Sequence, residues 1–171
     1  MNAALKKSYD LERKGLEFYI ASAVKCKNAL ARRTLFYLAQ EEIKHMIRID
    51  DIASSIDKDG KWPDAETGLV TSDIEISIKD FFNDVAKEAL TRDSDNASFI
   101  KEAMEFERKS YELYSELNEK AKSGNEKRFY DELKKQEEEH YEALENVYYY
   151  LTKSGDWFGK DESKVWNWMN L

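Results

Sequence analysis

Apolar side chains recur at three- and four-residue steps along four stretches of this chain, and in each the stripe is interrupted by acidic residues. In the first, Leu5, Tyr9, Glu12, Leu16, Tyr19 and Ala23 share one helical face. The second carries Leu35, Leu38, Glu42, His45, Ile49, Ile52 and Ile56. The third carries Ala103, Glu107, Tyr111, Tyr114 and Leu117, and the fourth Tyr130, Leu133, Glu137, His140, Leu144, Val147 and Leu151. Charged residues such as Arg32, Arg33, Glu41, Lys44 and Arg48 fall mostly off the stripe. The pattern predicts helices over 3–28, 29–59, 95–122 and 125–153. Carboxylates and imidazoles inside apolar faces are what needs explaining.

The chain also repeats itself at an offset of 95 residues. LERKGLEFY (11–19) falls on FERKSYELY (106–114), and LAQEEIKH (38–45) on LKKQEEEH (133–140). Each half holds a lone Glu and, about thirty residues on, a Glu-x-x-His. Turn signals lie midway between the paired groups, at Lys27-Asn28 and at Ser123-Gly124-Asn125. About 15 residues of helix, roughly 22 Å, separate each turn from its acidic groups, so Glu and His on neighbouring helices arrive at one height.

Residues 60–94 join the halves. GKWPD (60–64) ends the second helix, and 71–90 reads as a short helix inside a long crossover. The expected fold is all-α, a single domain over 1–171. It is an antiparallel four-helix bundle of ferritin-like type, with the crossover between helices 2 and 3. Residues 154–171, with three Trp, read as a short helical tail that packs on the bundle or on a second subunit.

Composition narrows the function. With 171 residues, one Pro, six Gly and 36% charged residues, the profile is one of long helices with few breakers. A net charge of −8 argues against a general nucleic-acid or anionic-membrane surface. No apolar run approaches the roughly 18–20 residues of a membrane span, and the start has no secretory signal, so a cytoplasmic protein is expected. The single Cys26 leaves no internal disulfide and no all-cysteine metal site in one chain.

On a helix, residues three apart project from nearly the same angle, so each Glu-x-x-His aims a carboxylate and an imidazole at one point. Two such pairs with two lone Glu make six groups: Glu12, Glu42, His45, Glu107, Glu137 and His140. Four ionised carboxylates buried together would repel, at several kcal/mol each if unpaired. Two divalent ions bring +4 against −4 and remove the conflict. Oxygen-rich ligands with two imidazoles suit iron or manganese, and less so zinc. Manganese or zinc is the expected substitute in a purified sample. Tyr19 and Tyr114 lie two turns past Glu12 and Glu107. Either their hydroxyls bond a ligand carboxylate across the bundle or they are ordinary core.

At these residues the chain resembles the rubrerythrin branch of the ferritin-like superfamily. The likeness covers about 3–152 and rests on Glu-x-x-Gly/Ser-x-x-x-Tyr (ERKGLEFY) followed by Leu-Ala-x-Glu-Glu-x-x-His (LAQEEIKH), with both elements returning in the second half. It implies a non-haem centre of two iron ions, with Glu42 and Glu137 bridging, Glu12 and Glu107 terminal, and His45 and His140 each on one metal. The implied activity is reduction of hydrogen peroxide, or of oxygen, in oxidative-stress defence; a homodimer is implied too. Two departures follow. Rubrerythrins proper carry a rubredoxin domain with paired Cys-x-x-Cys motifs, so here electrons are expected from a separate rubredoxin-type carrier. The family also has a further Glu one turn after the third-helix ligand, where this chain has Ser110, which leaves a more ferritin-like shell of six residues. The competing readings are a ferroxidase or iron-storage protein, and a structural module that its metal only stabilises.

Overall fold

The helices start and stop where local chemistry satisfies their end groups. In the protein's computed structural model, residues 2–63, 74, 76, 78, 96–152, 156–158 and 165–167 are described. Helix α1 (Ala3–Lys25) is capped by Asn2, whose side chain accepts from the Leu5 amide at 2.9 Å. It stops three residues before the expected 28, because Cys26 and Asn28 take up extended backbone. Asn28 then caps α2 (Ala29–Asp59), accepting from the Ala31 amide at 3.0 Å. Gly60 closes α2 in the left-handed region at φ 67°, where a side chain would be strained, and its amide donates to the Ile56 carbonyl.

Helix α3 (Ala97–Lys120) and helix α4 (Gly124–Thr152) form the second hairpin. Ser123 Oγ accepts from the Glu126 amide, and the Glu126 carboxylate accepts from the Lys122 amide, so this turn is closed from both sides. Asn96 ties the halves together by accepting from the Lys27 amide at 2.8 Å.

The result is the four-helix bundle, with α1 packed mainly on α2 and α3 on α4. In the crossover, Ile74, Ile76 and Ile78 are helical; Ile74 and Ile78 are buried in the core and Ile76 is exposed. The rest of the short helix expected over 71–90 lies outside the described residues. Two apolar layers fill the bundle. One gathers Tyr19, Leu30, Leu35, Leu38, Ile100 and Leu144. The other gathers Leu5, Ile49, Ile52, Tyr114, Tyr130 and Leu133, and Trp62 packs over its end, tilted against Phe129 and edge-on to Tyr130. The acidic groups lie between these layers.

Three expectations need correction. The tail is not helical where it is described: β1 (Asp156–Phe158) and β2 (Val165–Asn167) pair antiparallel, Trp157 opposite Trp166. Aromatic and β-branched residues favour strands over helix, and the ladder satisfies backbone groups of both segments. What the tail's tryptophan side chains pack on lies outside what is described. Tyr111 is not on the inner stripe of α3 but 36% exposed, whereas Ser110 is buried. From Glu107 the inward face continues in three- and four-residue steps through Ser110, Tyr114 and Leu117; two successive four-residue steps drift off it. Finally, Glu41 is buried, its carboxylate accepting from Lys44 Nζ at 2.6 Å. Helix α2 meets α1 on one side and α3 and α4 on others, so its covered face is wider than one stripe.

Candidate metal centre

The centre is built by four helices that each present a carboxylate at one level. Glu12 comes from α1, Glu42 with His45 from α2, Glu107 from α3, and Glu137 with His140 from α4. All six are buried, none exposing more than 1% of its surface. They form two groups of three, Glu12–Glu42–His45 and Glu107–Glu137–His140, with one ligand atom from each residue within 4.8 Å of the others. The imidazole rings lie 5.9 Å apart and nearly parallel, at 21°.

Nδ1 of each imidazole faces the carboxylates. His45 Nδ1 lies 3.6 Å from Glu12 Oε2, 3.6 Å from Glu42 Oε2 and 3.4 Å from Glu137 Oε1. His140 Nδ1 lies 3.7 Å from Glu107 Oε2 and 3.9 Å from Glu137 Oε2. The two oxygens of Glu137 therefore address the two imidazoles, one from each half.

Electrostatics shows how unfavourable this packing is for bare protein. Burial, then the Glu12 carboxylate, pushes the Glu42 carboxyl well above the usual range; the charge on Glu107 adds to it across the halves. Burial and then Glu107 do the same to Glu137. Burial alone would raise Glu107 too, but the neighbouring Glu137 carboxyl, the His140 imidazole and the hydroxyl of Tyr19 more than offset it and hold Glu107 below the ordinary value. Burial would lower His45, yet Glu12, Glu137 and Gln136 push it up to about 9. Without a counterion, carboxylates packed this closely resist ionising together.

The donor set fits divalent metal ions. Both oxygens of Glu12, Glu42 and Glu137, Oε2 of Glu107, and Nδ1 of His45 and His140 are buried without a hydrogen-bond partner. Buried polar atoms are normally paired, and so many orphans turned to one point are what a ligand shell requires.

Around the shell the two halves differ. Tyr19 donates its hydroxyl to Glu107 Oε1 at 2.6 Å. The hydroxyl of Tyr114 has no hydrogen-bond partner, and the ring stacks on Tyr130 at 6.3 Å. Gly15 is needed for space: a Cβ there would lie 2.9 Å from Phe106 Cε1 and 3.0 Å from Glu42 Oε1. Its repeat counterpart, Ser110, is buried with an unpartnered Oγ. Sequence reasoning did not single out Gln136, which is buried and hydrogen-bonded to His45 Nε2 at 2.8 Å. The signal was present, since Gln136 and Glu41 are repeat counterparts flanking the two Glu-x-x-His motifs. A cavity of about 190 Å³ opens beside Glu107 and Glu137, rimmed by Arg108, Tyr111, Glu138 and Tyr141.

The rubrerythrin family model matches residues 3–148, a span that includes all six groups. The chain belongs to the rubrerythrin family. This places it in the ferritin-like di-iron superfamily, and its two buried Glu/His groups are a centre suited to two metal ions. No curated protein and no solved structure matches the chain. Within its 171 residues this rubrerythrin-family protein has one cysteine, buried Cys26, and so no paired Cys-x-x-Cys motif of a rubredoxin domain. Among the described residues no helix is long and apolar enough to cross a membrane.

Proposed function

We propose that this protein is a di-iron oxidoreductase that reduces hydrogen peroxide, or oxygen, with electrons from a separate rubredoxin-type carrier. The observation that carries the reading is the pair of buried Glu/His triads joined by Glu137, in a rubrerythrin-family bundle. In this reading Glu12 and Glu107 would be terminal ligands, Glu42 and Glu137 would serve both irons, and His45 and His140 would each hold one iron through Nδ1. The iron pair, when bound, supplies the two electrons that take one hydrogen peroxide, with two protons, to two waters.

The chain's own residues set the conditions. The six ligands cancel charge that burial would otherwise penalise. Tyr19 holds Glu107 in place through its hydroxyl. The cavity beside Glu107 and Glu137 is wide enough for a small oxidant. Two copies of the chain working as a cytoplasmic homodimer complete the proposal.

A ferroxidase or iron-binding role is the second reading. It is favoured by Ser110, which offers a buried hydroxyl and no seventh carboxylate. One experiment separates the two. The protein is loaded anaerobically with Fe(II), its metal counted, and its visible spectrum followed after one equivalent of peroxide or after air. About two irons per chain, faster oxidation by peroxide than by air, and re-reduction by a carrier protein support the peroxidase. Faster reaction with air and no re-reduction overturn it in favour of the ferroxidase. Fewer than one metal per chain overturns both.

A further inference from the structure

The repeat makes the two halves of the centre near copies, so each difference between them stands out against an internal control. The ligands are the same, yet the supports behind them are not. Behind His45, the amide oxygen of Gln136 is 2.8 Å from Nε2, and both residues are buried. An amide oxygen only accepts, so Nε2 carries the proton and Nδ1 is the nitrogen directed at the carboxylates. Behind His140 there is no such support: its Nε2 is buried without a hydrogen-bond partner. The residue at the repeat counterpart of Gln136 is Glu41, and its carboxylate accepts from Lys44 instead. The cavity of about 190 Å³ likewise adjoins one half, at Glu107 and Glu137. Beside the other half Phe106 and Glu42 pack close to Gly15, where a Cβ would lie 2.9 Å from Phe106 Cε1 and 3.0 Å from Glu42 Oε1.

We propose that Gln136 is a positioning residue that fixes His45, so that the Glu12–Glu42–His45 half takes the first metal ion and the Glu107–Glu137–His140 half is the weaker, exchangeable position facing the cavity.

The physical basis is pre-organisation. A ligand imidazole whose outer N–H is already held loses little freedom on binding and presents the correct nitrogen; one without an outer partner must be ordered by the metal itself. Loss of an outer partner typically lowers metal affinity about 10–100-fold. The two ions then bind in sequence rather than together. The inference rests on the proposal that the six residues bind two metal ions.

The test follows both imidazoles separately during metal binding, which is practical because the chain has only two histidines. The ¹⁵N-labelled protein is titrated with Zn(II) under long-range ¹H–¹⁵N NMR, and bound zinc is counted by elemental analysis. A His140→Asn variant assigns the two ring signals. The expected result is that Nδ1 of His45 shifts over the first equivalent and Nδ1 of His140 over the second. In Gln136→Leu the first ion should bind about 10–100-fold more weakly and the two rings should shift together. Gln136→Glu keeps an acceptor opposite Nε2 and should keep the order; it also serves if the leucine variant does not fold. Two bound ions with both rings shifting in parallel in the unaltered protein, or with His140 first, would overturn the inference while leaving the metal centre intact. An unchanged order and affinity in Gln136→Leu would overturn the role of Gln136. No bound zinc and no ring shift would overturn the metal reading and this inference with it.

Discussion

Replacing Gly15 by Ala sets two effects of known sign against each other. In the interior of a helix, Ala is better than Gly by about 0.5–1 kcal/mol, because it restricts the unfolded chain. At most helical glycines this substitution therefore stabilises. Here the added Cβ would sit 2.9 Å from Phe106 Cε1, 3.0 Å from Glu42 Oε1 and 3.2 Å from Glu42 Cδ. Overpacking of this kind costs about 1–3 kcal/mol. Phe106 is only partly buried and stacks on Phe18, so its ring has some room to shift. Glu42 is fully buried among the other ligands and has none. Steric cost therefore exceeds helix propensity, and the expected net loss is about 1 kcal/mol, or roughly 2–4 °C in melting temperature for a chain of this size. Displacing the Glu42 carboxylate should also weaken metal binding on the order of tenfold. Thermal melting of the metal-free protein by circular dichroism and calorimetric titration with Zn(II) read the two effects. A Gly15→Ala variant that melts higher and binds metal as before would refute the reasoning.

Three further outcomes are expected. Tyr19→Phe removes a 2.6 Å bond to a buried carboxylate held ionised and should cost roughly 1.5–3 kcal/mol in urea unfolding, whereas Tyr114→Phe, whose hydroxyl has no acceptor, should be nearly neutral; equal costs would contradict the assignment. Ser110→Ala removes a buried hydroxyl without a partner and should be neutral or stabilising by about 1 kcal/mol, so a clear loss of melting temperature counts against it. Glu42 and Glu137, raised from 4.5, and His45, raised from 6.5 to about 9, all hold protons more tightly folded than unfolded. Their contribution to the metal-free fold is complete at low pH and is lost as pH rises towards 9; the opposing contribution of Glu107, lowered from 4.5, is already complete at neutral pH. The metal-free protein should melt lower at about pH 9 than at about pH 6. Metal should stabilise more at the higher pH, since binding must displace those protons. A metal-free melting temperature that stays flat or rises over that interval would argue against it.

Much of the centre is legible in the chain because its geometry is local. A Glu three residues before a His must share a helical face with it, whatever the surroundings. The 95-residue repeat then states that the two halves are alike, and the turn residues Asn28 and Ser123 set the height at which the helices bring their groups together. Tyr111 and the tail show the limit of such reading. The stripe of α3 is one residue ambiguous until its neighbours are placed, and a segment rich in Trp forms either a helix or a strand depending on what it can pair with.

The helices, their pairing and the six groups of the centre follow from the chain's local pattern, because periodicity, capping and i, i+3 spacing act within a few residues. How the two halves differ depends on helix packing instead. That Gln136 of α4 backs His45 of α2, that Tyr19 of α1 holds Glu107 of α3, and that Gly15 leaves room for Glu42 are contacts between helices. Their partners lie 91, 88 and 27 residues apart, and no local rule spans such distances. They are set by the order in which four helices pack and by which side chain fits the space that remains.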